Sequence, residues 1–182
     1  FTVVGETEAA TAICGWIRRN LVTPDGRIDG PYRVFDAWST YRDATLVVGA
    51  QAAMQYDLSF GLWPGILALR DPASGIFATD RLPGGGFDAD FDTSDALDVT
   101  GGGPGVGFAA LAVGDLATAR GIAAFLGRMW EAQPPGERQY VAWSRERQTL
   151  ITGADPEFNA EIMLVDNRVD ASQYWFWGGI CA

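Results

Sequence analysis

Helical segments of two kinds alternate along this chain, and the alternation constrains its architecture more than any other feature. Glu6 to Leu21 carries Ala9, Ala10, Ile13, Trp16, Ile17 and Leu21 at helical spacing, which predicts an amphipathic helix. Glu6 and Glu8 open it and Arg18 and Arg19 close it, the arrangement the helix dipole favours. Pro24-Asp25-Gly26 then predicts a turn. Thr40 to Tyr56, with LVVGAQAAM at its centre, is apolar nearly all round, the pattern of a helix buried on every side. Ser59 to Arg70 is amphipathic again through Leu62, Ile66, Leu67 and Leu69, and Pro64-Gly65 is expected to bend or shorten it. A second buried helix, VGFAALAV, follows Pro104, which suits a first-turn position. Leu116 to Gln133 is the next amphipathic helix, with a stripe of Leu116, Ala119, Ile122, Ala123, Leu126, Met129 and Trp130. Asp115 is its expected N-cap and Pro134-Pro135-Gly136 its stop. Tyr174 to Ala182 reads as a third buried helix.

In a simple bundle every helix keeps one wet face. Strict alternation predicts instead two concentric layers, with the inner helices covered from outside and lining a hollow. The expected fold class is therefore all-α, an α/α toroid or half of one, with small β-hairpin excursions. The hairpin is placed at Gln139–Trp143 and Gln148–Thr152, around the polar tetrapeptide SRER. Asp71-Pro72-Ala73-Ser74-Gly75 predicts a turn, and Ile76 to Thr100 a long irregular stretch of the kind that is functional or disordered. Residues 1–182 are expected to form a single helical domain belonging to a larger α/α barrel. The final run YWFWGGICA ends without a polar cap, so it is expected to mark the edge of a fragment or to be covered by another chain. Cys14 and Cys181 both sit in apolar helical text; two buried free thiols are expected, with a disulfide joining the first and last helices as the alternative.

Composition removes whole classes of chemistry. The chain has no histidine, and all 13 of its basic residues are arginine. A histidine-based triad, a lysine Schiff base and a histidine-rich metal site are thereby excluded. A net charge of −10 argues against a nucleic-acid surface and against binding to an anionic membrane. No apolar run is long enough for a transmembrane helix, and no signal peptide of the usual form opens the chain, which favours the cytoplasm. Arginine used alone, with abundant Ala, Gly and Asp, matches the coding bias of a GC-rich bacterial genome.

The segment GGGPGVGFAALAVGDLATARGIAAFLGRMWEAQPP, the hairpin QYVAWSRERQTLIT and the aromatic run QYWFWGGICA resemble the α/α-toroid superfamily, in particular its terpenoid-cyclase-like, prenyltransferase-repeat-like branch. The turn DPASGIF is similar to the D-P-x-x-G-x-F connections of such folds. The resemblance covers most of the chain as a texture of repeats. Within it, Asp90-Phe91-Asp92-Thr93-Ser94-Asp95 resembles the D-x-D-[DT]-[TS] acid motif of protonation-initiated cyclases. The resemblance implies a neutral aspartic acid that protonates an alkene or epoxide, its proton held by crowded neighbours. Adjacent carboxylates cannot all ionise cheaply, so one pKa rises. Thr93 stands where the motif usually has a further Asp, and no D-D-x-x-D magnesium site is present for diphosphate ionisation.

The candidate acids are therefore Asp90, Asp92 and Asp95, with Asp43 and Asp36 as a second source of carboxylate and Tyr41 as a possible donor beside Arg42. Phe35, Trp38, Trp63, Tyr174, Trp175 and Trp177 are candidates for a substrate-binding wall, since aromatic faces stabilise carbocations. The expected partner is a small apolar molecule, with no cofactor. Other readings remain open at this point. The acidic loop can be a solvated surface loop or an irregular calcium site, although Thr93 and Val99 break the EF-hand pattern. Paired carboxylates also suit a carbohydrate-active toroid, a glycoside hydrolase or epimerase. A non-catalytic helical assembly module is the third alternative.

Overall fold

The computed structural model describes residues 5–28, 38–77, 80–81, 96–98, 105–136, 138–140, 142–144, 146–152 and 164–166. Among them run α1 (Thr7–Asn20), β1 (Trp38–Ser39), α2 (Thr40–Ala52), α3 (Tyr56–Leu67), β2 (Asp80–Arg81), β3 (Ala96–Asp98), α4 (Val106–Val113), α5 (Leu116–Glu131), β4 (Arg138–Tyr140), β5 (Ala142–Ser144), β6 (Thr149–Leu150) and β7 (Leu164–Asp166). The described part is mainly helical, as the sequence predicts. The expected helix at 174–182, with Cys181, lies outside the described residues.

The helices pack as a chain of neighbours: α2 lies on α3 and on α4, and α4 lies on α5. Their shared core is built from Ala44, Val47 and Ala50 of α2, Leu58, Leu62 and Ile66 of α3, Val106, Ala109 and Ala110 of α4, and Ile122 of α5. Alanine dominates on α2 and α4 because small side chains let these helices approach closely. Each fully buried Leu or Ile here contributes about 1.5–3 kcal/mol. Gln51 donates to the Ser59 hydroxyl at 2.7 Å, tying α2 to α3.

The single run expected from Thr40 to Tyr56 is two helices meeting at a sharp stop. Met54 takes a left-handed conformation (φ 57°), and the Gln55 N–H returns to the Ala50 carbonyl at 2.8 Å. That bond satisfies a carbonyl which the ended helix would otherwise strand. Pro64 lies inside α3 without ending it. The carbonyl it cannot serve is that of Phe60, one turn back, and Phe60 is exposed.

Burial corrects the alternation in one respect. α2 and α4 are not covered all round: Val48 of α2 and Phe108 and Leu111 of α4 are exposed. On α5 the predicted stripe is rotated. Thr118, Ile122, Phe125 and Met129 are buried, whereas Leu116 and Trp130 are exposed. Phe125 draws the helix round by packing edge-on against Trp143, with ring centroids 5.2 Å apart. On α1 the buried positions are Ala10 and Cys14, and Ile13 and Trp16 face outward.

Three helices end in a similar closure. After α1, Val22 and Ile28 form an antiparallel bridge across the Pro24-Asp25-Gly26 turn, where Gly26 adopts φ +78°. After α3, Arg70 and Phe77 bridge across Asp71–Gly75, and Asp71 accepts from both the Ser74 N–H (2.7 Å) and the Ser74 hydroxyl (2.6 Å). After α5 a side chain does the work of the bridge. Gln133 donates to the Tyr140 carbonyl at 2.9 Å and accepts from the Tyr140 N–H at 2.8 Å.

The strands form small antiparallel sheets: β1 with β2, β4 with β7, and β3–β5–β6. The β5–β6 hairpin is the one expected around SRER. The other half of that expectation is divided, because Gln139 and Tyr140 pair with β7 rather than continuing into β5. β3 also falls within the stretch expected to be irregular, pairing Leu97 with Trp143 and Asp98 with Ala142.

Candidate functional site

Of the candidate acids, Asp43 is the one whose surroundings are described, and it is sealed. It stands in the first turn of α2 with no exposed surface. Its Oδ2 lies 3.1 Å from Arg27 Nη2, and its Oδ1 lies 3.5 Å from Arg42 Nε. Burial pushes its pKa up from the ordinary 3.8, while Arg27 and then Arg42 pull it back. Arg27 is itself buried and donates through Nη1 to the Gly65 carbonyl of α3 at 2.6 Å. Arg42 donates through Nη2 to the Ile28 carbonyl at 3.3 Å. One carboxylate therefore joins the turn after α1, the start of α2 and, through Arg27, the last turn of α3. This is a structural clamp, and it leaves Asp43 no substrate-facing surface.

The sequence pointed to Asp43 but missed Arg27, which directly follows the Pro24-Asp25-Gly26 turn. The available signal was glycine. A Cβ on Gly26 would lie 2.3 Å from the Gly61 carbonyl oxygen, and one on Gly65 would lie 2.6 Å from both the Gly26 carbonyl oxygen and Arg27 Cδ. The turn carrying Arg27 presses on α3 at Gly65, where a side chain has no room, with Gly26 against the Gly61 carbonyl.

Trp63, a candidate for the substrate wall, is buried in the core, and its indole N–H donates to Asp115 Oδ2 at 3.3 Å. Asp115 is the N-cap expected for α5. It accepts from the Thr118 N–H at 3.0 Å and the Thr118 hydroxyl at 2.8 Å. Those bonds hold its carboxyl below the usual 3.8, with the Thr118 backbone N–H the largest cause. A lowered pKa favours the folded chain above pH 3.8, and this contribution is lost as pH falls through the folded value. Asp115→Ala is expected to cost about 1 kcal/mol, measured by urea unfolding, and to move the acid limb of the stability profile.

Tyr41 lies in the first turn of α2, and Trp38 lies in β1 opposite Arg81. Their side chains fall outside the described residues. Asp90, Asp92, Asp95, Asp36, Phe35, Tyr174, Trp175 and Trp177 lie wholly outside them. Asp98, three residues beyond Asp95, has its backbone in β3.

The described residues also form an apolar groove of about 530 Å³ between α1 and α2. Ala10, Ile13, Cys14 and Ile17 form one wall. Arg42, Thr45, Leu46 and Gly49 form most of the other. Cys14 is a free thiol whose pKa burial pushes above the ordinary 9.0, with Arg18 acting the other way. Among the described residues no group of three or more His, Cys, Asp or Glu converges to hold a metal ion, and no helix is long and apolar enough to cross a membrane. No family model, no curated protein and no solved structure matches this chain.

Proposed function

We propose that this chain builds part of an α/α toroid that serves an isomerase- or lyase-type reaction on a small apolar, terpene-like molecule, with Asp90, Asp92 or Asp95 as the proton donor. The observation that carries this reading is the packing order. α2 and α4 touch each other, α2 also packs on α3 and α4 on α5, and each still exposes apolar side chains, Val48 on one and Phe108 and Leu111 on the other. Inner helices of a toroid have that arrangement, and apolar side chains on their open faces suit a hydrocarbon better than a sugar. With Asp43 sealed, this reading keeps the acid in the 90–95 segment. In that role a neutral carboxyl protonates the substrate's alkene, or its hydroxyl, whose C–O bond then breaks to release water, and the conjugate base removes a proton from the resulting cation.

The test is turnover of acyclic terpenoid alcohols, followed by gas chromatography of the hydrocarbon or isomeric alcohol formed. Asp90→Asn or Asp92→Asn is expected to lower kcat about 10²–10⁴-fold, the usual contribution of a general acid. Retention of full activity by Asp90→Asn, Asp92→Asn and Asp95→Asn alike would refute the assignment. So would a lack of turnover across linear and branched terpenoid alcohols.

A further inference from the structure

We draw no further inference here: the strongest candidate, the apolar groove between α1 and α2, carries nothing, because its one charged residue, Arg42, is already engaged by Asp43 and the Ile28 carbonyl and nothing in the structure shows what covers the rest.

Discussion

Arg27→Met is expected to lower the unfolding free energy at neutral pH by about 3–5 kcal/mol, a large share of the total stability of a domain this size. Methionine keeps much of the aliphatic volume, so the loss is chiefly electrostatic. Asp43, with no exposed surface, would keep Arg42 at 3.5 Å but lose the closer partner at 3.1 Å, and the Gly65 carbonyl would lose its donor. The pH dependence has a definite sign. Arg27 lowers the Asp43 pKa, so its removal raises a value that burial already holds above 3.8. A carboxyl with a raised folded pKa favours the folded state below the unfolded value, and that advantage is lost as pH rises through the folded value. The deficit of Arg27→Met should therefore be largest near neutrality and shrink toward pH 4. Urea titrations at several pH values measure it. A deficit that is flat or grows toward acid would show that the clamp is not electrostatic.

Gly65→Ala is the second large effect, and its sign runs against helix propensity. In a helix interior alanine is favoured over glycine by up to about 1 kcal/mol. At Gly65 the new methyl would meet the Gly26 carbonyl oxygen at 2.6 Å, and backbone does not yield as a flexible side chain does. Overpacking of this kind costs about 1–3 kcal/mol. Gly61→Ala is the control, one helical turn away with nothing within 4 Å of its Cβ, and is expected to be neutral or stabilising. Thermal unfolding of the pair reads the difference directly. Equal melting temperatures would mean that the turn does not press into α3.

These two sites show what the sequence could and could not reveal. Helix positions were legible because periodicity and caps are local: α1, α5 and the Asp115 cap lie where the pattern put them. The direction each helix faces was less legible. Apolar spacing on α1 favoured Ile13 and Trp16 as strongly as Cys14, and only the neighbouring helix decides which is covered. On α5 the deciding contact is Phe125 with Trp143, an aromatic pair eighteen residues apart that no windowed pattern joins. The reading of α2 and α4 as buried all round took apolar composition for complete burial. An inner helix facing a cavity, a ligand or another chain has the same composition. At the candidate site, Asp43 was named as a candidate acid and Trp63 as part of a substrate wall, but their partners Arg27 and Asp115 lie 16 and 52 residues away. Residue type suggested chemistry in both cases, and distant partners turned it to structure.

The paired bonds between Gln133 and Tyr140 also bear on how this chain can change over time. A side-chain amide there stands in for a peptide group, so the end of one helix is stitched to a fixed point on the following strand. Insertions are usually tolerated in exposed connections, but adding a single residue between those two positions would pull both stitches at once. The linker that most resembles a free spacer is thus the one whose length is held constant.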